Sequence, residues 1–483
     1  MSIRGHGLML ERRQVSVGQS AVVRLASQVE NEYLAFLTEL RKLEAHQYPT
    51  SSCLDFLKGL SREASKNLER VKEAAENALA LPDGSDDISI EIDEIRASRV
   101  RLIQDLTVFL DWVTGAQTRK VPWSFVPSAE RLANKIIPDL NTILYCENKY
   151  NYRIVWFKNP AEELQKYCFV SLPRLHRINV LMHTLVGHEL FHPRCKDFTD
   201  KHRNKVATDA AKECKETFPD LNPNTLFGQQ QLSRKTAEIM FAWERALHEL
   251  LCDMFCAELF GPAALLAMRA YASFSEWFRK PAPDNTYYPH WQYRFETVWQ
   301  RAISKPALEG LWEKMSQHGE IQEFLHCFKN ELSVFKDKAA LESTKGYDFV
   351  QNLPEDESSK LLKIAYAEIS KLLGAAHKYV ESCLPGGLAK WSDCDVLKQV
   401  PRLVSRLEAG IPPNEIPNIV YGEDNSEGEY KGEPAELPAI LLAGWIYQVF
   451  REGRGKEDKV LPYETLSRFI LKGCEDSEML RSR

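Results

Sequence analysis

The sequence reads HELFH from His188 to His192, which is the pattern H-E-x-x-H. Helical spacing of four positions places both histidines on one face, where each imidazole can offer a nitrogen to a single zinc ion. Leu181 and Leu185 precede them on the same stripe, so we expect the histidines to point inward from a buried helix. Glu189 can act on a water molecule at the metal without being a ligand itself. This stretch therefore predicts a zinc site on a helix.

A second motif lies in ERALHELLCDMFCAELFG, residues 244–261. Glu249 and Asp253 are four positions apart on a predicted helix and are separated by apolar residues. Two carboxylates in so apolar a helix are costly to bury unless each has a partner. A zinc ion for Glu249 and a ligand imidazole for Asp253 would supply those partners. The alternative is that both carboxylates lie on a solvated polar face together with Glu244 and His248. The positions of these residues around the helix do not exclude this alternative.

Together the two motifs resemble those of the gluzincin group of zinc metallopeptidases, which pair H-E-x-x-H on one helix with E-x-x-x-D on a later helix. The resemblance implies zinc ligands at His188, His192 and Glu249. It also implies a catalytic glutamate at Glu189 and, at Asp253, an aspartate that orients a ligand histidine. The chain is similar as well to uncharacterised bacterial proteins in which helical regions flank an HExxH helix.

The resemblance covers roughly residues 120–300, and two features depart from the group. Pro193 directly follows His192 and disfavours helical geometry there, so we expect the helix to end or kink at this point. The second histidine and Glu249 are 249 − 192 = 57 positions apart, more than in compact members. We expect the extra residues, 195–236, to form a lid or a substrate-facing loop.

Several other residues are weighed as parts of the site. Metal-assisted hydrolysis needs a donor for the developing oxyanion, and the cluster of residues 287–291 offers His290 or Tyr288. Aromatic packing at the start of a helix is the alternative for this cluster. Glu244 is the main alternative to Glu249 as third ligand, although it lacks an aspartate four residues later.

Two further histidines and a pair of cysteines are expected to be structural. His183 and His248 lie out of phase with the proposed ligands on their helices. Cys252 and Cys256 are four apart in an apolar helix, where core packing is favoured over a second metal site. The chain has 11 cysteines and no CxxC pair, which argues against a disulfide scaffold and indicates a reduced protein.

Periodicity along the chain predicts a mainly α protein with a small sheet, an α+β class, in which a zincin-like catalytic domain is flanked by helical domains. The expected domains are residues 1–120, 121–300 and 301–483, with a flexible linker at 422–434. Apolar stripes predict helices at 22–40, 54–79, 96–114, 129–144, 176–192, 237–260 and 437–450. Strands are expected at 151–157 and 167–172, and an acidic loop at 83–94 contains a short strand-like ISIEI piece. All strand candidates therefore precede residue 176.

Charge and hydropathy exclude some partners. The 62 Lys and Arg against 68 Asp and Glu give 62 − 68 = −6, which argues against a generally basic surface for nucleic acid. The apolar stretch from Leu437 to Phe450 falls short of the ~20 residues of a membrane span. The N-terminus lacks the apolar core of a signal peptide. We therefore expect a cytoplasmic protein without nucleic-acid or membrane partners.

The function predicted from the sequence is a zinc-dependent metallopeptidase that hydrolyses peptide bonds of an intracellular protein or peptide substrate, with zinc as cofactor. Two alternatives share the same residues. One is a helical adaptor protein with a structural or inactive zinc site. The other is a zinc amidase that acts on a non-protein amide.

Overall fold

The computed structural model describes residues 17–82, 85–156, 162–272, 289, 291–303, 305–344, 356–421, 428–454 and 460–482. Helices dominate and are accompanied by a small three-stranded sheet, which confirms the α+β class in coarse outline. In chain order the α-helices are α1 (Val17–Glu44), α2 (Ser52–Ala80), α3 (Asp87–Arg101), α4 (Val108–Gly115), α5 (Val126–Ile136), α6 (Glu162–Gln165), α7 (Val186–Thr217), α8 (Leu226–Phe260), α9 (Pro262–Tyr271), α10 (Trp291–Arg301), α11 (Lys305–Ser316), α12 (Gln322–Thr344), α13 (Glu357–Cys383), α14 (Cys394–Glu408), α15 (Leu437–Arg454) and α16 (Tyr463–Arg481). The strands are β1 (Asn141–Glu147), β2 (Arg153–Trp156), β3 (Tyr167–Pro173), β4 (Glu415–Tyr421) and β5 (Gly428–Pro434).

The chain divides into two compact units. The first contains the residues up to Val121 together with Trp156–Phe169, and its core includes edge-to-face contacts of Phe56 with Phe109 and Phe169 at 5.0 and 4.9 Å. The second contains Pro122–Val155 and Val170–Arg483, and it continues through residue 300. The division into three domains stays a prediction.

The sheet has the strand order β1-β3-β2. The predicted strands at 151–157 and 167–172 are confirmed as β2 and β3. β1 lies where the sequence predicted the end of a helix at 129–144. α5 ends at Ile136 because Pro138 disfavours helical backbone in the residue before it, and the apolar residues that follow are buried as a strand.

Two other strand predictions are wrong. The ISIEI piece is helical, as part of α3, because Ile88 and Ile95 are buried at helical spacing while Ile90 is exposed. The predicted linker at 422–434 includes β5, which pairs antiparallel with β4, so strands also occur after residue 176. Residues 422–427 of that linker lie outside the described residues.

The helix predicted at 176–192 begins later and extends much further. Short 3₁₀ helices at Arg174–His176 and Val180–Leu185 precede α7, which continues through Pro193 instead of ending there. Proline removes one backbone hydrogen bond, and the packing of α7 offsets that loss. Phe191, two residues before Pro193, stacks on Phe255 of α8 at 4.3 Å.

The predicted lid or loop at 195–236 is instead a helical hairpin. α7 runs to Thr217, and α8 begins at Leu226 after a short connection. Val206, Ala210 and Cys214 are buried at spacings of four, so this lysine-rich segment carries an apolar stripe after all.

The predicted C-terminal helix at 437–450 is confirmed as α15, which is almost wholly buried. Among the described residues, none of the helices combines the length and apolar character that a bilayer crossing needs.

Candidate metal centre

The two sequence motifs meet where α7 packs along α8. The contacts run in opposite chain directions, from Gly187 against Phe260 to Arg203 against Glu244, so the helices are antiparallel. A Cβ at Gly187 would lie 2.9 Å from the ring of Phe260, so glycine permits this close approach. The H-E-x-x-H turn of α7 is thereby brought beside the E-x-x-x-D turn of α8.

The three predicted ligands converge. The Nε2 atom of His188 is 3.4 Å from Oε2 of Glu249, and Nε2 of His192 is 3.9 Å from Oε1 of the same carboxylate. The two imidazole rings lie 5.0 Å apart between centroids. Donors around a tetrahedral zinc ion are separated by about 3.3 Å, given Zn–N and Zn–O bonds of about 2.0–2.1 Å. Both nitrogen–oxygen distances are close to that separation, so the Glu249 carboxylate lies at ligand spacing from each imidazole.

Asp253 and Arg294 support the ligands from behind. Nδ1 of His188 donates to Oδ1 of Asp253 at 2.8 Å, which leaves Nε2 of the ring facing Glu249. Arg294 of α10 donates to both oxygens of Asp253, at 2.6 and 2.8 Å, and its Nη2 lies 3.2 Å from Oε2 of Glu249. One buried guanidinium thus contacts both carboxylates of the second motif.

Ionisation in this cluster follows from burial and charge. Burial opposes the charged form of His188, but hydrogen bonds to Asp253 and Glu249 raise its pKa to about 10. Burial would raise the pKa of both carboxyls, yet both pKa values are lowered. For Glu249 the causes are the hydrogen bond to His188 and the charge of Arg294, and for Asp253 the charge of Arg294 comes first. Both carboxylates are therefore anionic at neutral pH.

Glu189 differs from these carboxylates. It is 7% exposed, and burial raises its pKa to about 7 although His188 and a backbone hydrogen bond from Ile154 oppose this. Its Oε2 lies 3.8 Å from Nε2 of His192, whose pKa burial lowers to about 4. A carboxyl group with a pKa near neutrality is suited to accept and return a proton. Ile154 belongs to β2, a strand at the edge of the sheet.

Sequence reasoning missed two residues of this centre. The first is Arg294, which follows the aromatic cluster of residues 287–291 by three positions and to which no role was assigned. The second is Cys252, which was predicted to be core packing. Its buried Sγ and one ring nitrogen each of His188 and His192 all lie within 4.8 Å of one another. The available signal was its position three residues after Glu249, which places both on neighbouring parts of one helix face.

The other predicted residues that the structure describes have hydrogen-bond or ion-pair partners of their own. His290 and Tyr288 fall outside the described residues. Glu244 pairs with Arg203 at 2.5 Å, away from the two histidines. Nδ1 of His183 lies 3.4 Å from the hydroxyl of Tyr152, and Nε2 of His248 lies 3.2 Å from the hydroxyl of Thr199. Cys256 is buried, with its Sγ 3.3 Å from the carbonyl oxygen of Thr184.

A second group of potential ligands lies further along α8. Glu258 and two residues of α13, His377 and Glu381, each place one ligand atom within 4.8 Å of the others. Oε1 of Glu258 is 2.9 Å from Nε2 of His377. This group is more exposed than the one at the two motifs, and a histidine–carboxylate hydrogen bond already accounts for its shortest contact.

Comparison with known proteins gives no match: no protein-family model, no curated protein sequence and no solved structure is significantly similar to the chain.

The cluster of His188 and His192 with neighbouring carboxylate and thiol groups could bind a metal ion. Imidazole, carboxylate and thiolate donors suit zinc and other borderline transition metals, whereas magnesium and calcium prefer oxygen ligands alone. Buried ionisable groups that converge in this way are costly without a compensating partner, and a cation would supply one.

Proposed function

We propose that the protein is a zinc-dependent metallopeptidase with a zincin-like domain of the gluzincin type, acting on a protein or peptide substrate. The observation that carries the proposal is the convergence of two histidines of α7 with one glutamate of α8. His188, His192 and Glu249 would hold the metal. When bound there, zinc supplies Lewis-acid activation of water and of the substrate carbonyl.

The remaining residues have distinct roles in this proposal. Asp253 accepts a hydrogen bond from Nδ1–H of His188 and so keeps the opposite ring nitrogen available. Glu189 takes a proton from the attacking water and passes it to the leaving amine. Its raised pKa of about 7 matches that exchange at neutral pH. The edge strand β2 lies beside Glu189, where an extended peptide could add to the sheet.

An adaptor protein with a structural zinc site is the second candidate. The observation that favours it is the thiol of Cys252, because structural zinc sites have four protein ligands whereas catalytic ones keep a position open. A zinc amidase for a non-protein amide would use the same residues as a peptidase, and profiling of cleaved substrates distinguishes the two.

The test is Glu189→Gln compared with the wild type in a proteome-derived peptide cleavage assay. Because glutamine cannot accept the proton, we expect kcat/KM to fall by about 10²–10⁴-fold while the zinc content stays unchanged. His188→Ala should lose both zinc and activity. Glu244→Gln, a matched change outside the centre, should retain both. Full hydrolysis by Glu189→Gln would refute the role of Glu189, and the absence of cleavage by zinc-loaded wild type would favour the adaptor.

A further inference from the structure

Cys252 is a buried thiol that the proposed hydrolytic mechanism does not use. Its Sγ lies within 4.8 Å of one ring nitrogen each of His188 and His192. Zinc binds sulfur at about 2.3 Å and imidazole nitrogen at about 2.0–2.1 Å, so neighbouring S and N donors of one ion lie about 3.5 Å apart. The thiol therefore needs only a modest side-chain shift to join the two histidines on one ion.

The setting of Cys252 also suits metal binding. It lies on α8 between the two carboxylates of the second motif, Glu249 and Asp253, and it is fully buried. The Sγ of Cys195, one turn after His192 on α7, is 3.5 Å from it. Either thiol can be the donor in this contact, and the Cys195 thiol also faces the carbonyl oxygens of Phe191 and His248.

We propose that Cys252 is a fourth protein ligand of the metal, in addition to His188, His192 and Glu249. This inference rests on the zinc site of the proposed function. Binding replaces the S–H bond of Cys252 by a sulfur–metal bond and releases the proton to solvent. Four protein ligands would complete a tetrahedral site, so hydrolysis at a centre that includes Cys252 would need that thiolate to be displaced.

Cobalt(II) substitution tests this assignment without relying on activity. The wild type, Cys252→Ser and Cys256→Ser are each loaded with one equivalent of cobalt, and their absorption spectra are compared. Cys256 is the matched control, because it is a buried cysteine one turn further along α8 whose Sγ contacts a backbone carbonyl instead. We expect a thiolate-to-cobalt charge-transfer band in the wild type and in Cys256→Ser, and its loss in Cys252→Ser. The visible ligand-field bands of bound cobalt should persist in all three.

The outcomes separate this inference from the proposed function. Bound cobalt without a charge-transfer band in the wild type, or a band that survives in Cys252→Ser, overturns the ligand role of Cys252 and leaves the histidine–glutamate site standing. Failure of the wild type to bind cobalt or zinc overturns both. If Cys252→Ser does not fold, zinc X-ray absorption of the wild type decides. A sulfur scatterer at about 2.3 Å supports the assignment, and its absence refutes it.

Discussion

Asp253 is the residue on which the orientation of His188 depends. Its carboxylate accepts a hydrogen bond from Nδ1 of His188 and two from Arg294, and it is fully buried. Asp253→Asn keeps the shape but weakens the acceptor, so we expect zinc affinity to fall by about 10–100-fold in a chelator competition assay. Asp200→Asn, on the exposed side of α7, is the control and should bind zinc as the wild type does. Equal affinity in Asp253→Asn would show that His188 is oriented by other contacts.

Arg294 compensates the charge of both carboxylates in the second motif. Arg294→Met would leave Asp253 and Glu249 buried with less compensation, and breaking a buried ion pair in this way costs about 3–5 kcal/mol. The measurement is the free energy of unfolding of the metal-free protein in denaturant. Arg234→Met removes an exposed arginine that pairs with Glu238 and should cost no more than about 1 kcal/mol. If Arg294→Met also lowered the free energy of unfolding by no more than about 1 kcal/mol, the compensating role of Arg294 would be contradicted.

For single residues, the sequence predicts only which side chains share one face of a helix. The pairs of residues within each motif share a helix face, and the resemblance to gluzincins joins the two motifs. The structure brings them together. Arg294 could not be predicted, because its position depends on how α10 packs against α8. The apolar residues around Cys252 in the sequence predict its burial, which is correct. They do not indicate that two imidazoles lie near its thiol.

Helix α8 carries Glu249 and Asp253 of the candidate centre. The C-terminal end of α8 is followed by Gly261, a glycine on which the local packing depends. Gly261 has φ +59°, and a Cβ there would lie 2.3 Å from the ring of Trp391. Gly261→Ala combines the backbone strain of a positive φ, about 1–3 kcal/mol, with overpacking of about 1–3 kcal/mol. Gly410→Ala is a matched control, because Gly410 has φ +70° with open space around it. We expect Gly261→Ala to lower the free energy of unfolding by more than Gly410→Ala, and equal losses would refute the packing argument.

Element prediction succeeds where one apolar stripe dominates and fails where two periods compete. α2 and α15 have continuous stripes and were predicted from them. The alternating isoleucines at the start of α3 imitate a strand, although burial follows the helical spacing of Ile88 and Ile95. β5 has the glycine and glutamate content of a linker, and only its pairing with β4 makes it a strand.

For the molecule as a whole, the candidate centre is built into the second unit by contacts between distant parts of the chain. Two side chains from other helices form hydrogen bonds with α8: Arg294 of α10 with Asp253, and His377 of α13 with Glu258. The backbone N–H of Trp391 also donates to the carbonyl of Leu259 in α8 at 3.0 Å. These contacts join residues far apart in sequence, which periodicity cannot reveal. They hold α8 on several sides and so favour a preorganised arrangement of its carboxylates.

Anomalous diffraction at the zinc absorption edge, on crystals of the zinc-loaded protein, tests the central claim most directly. We predict a peak between α7 and α8, with Nε2 of His188, Nε2 of His192 and an oxygen of Glu249 within about 2.0–2.2 Å of the ion. Zinc held at Glu258, His377 and Glu381 instead, or no zinc at the two motifs, would contradict the account.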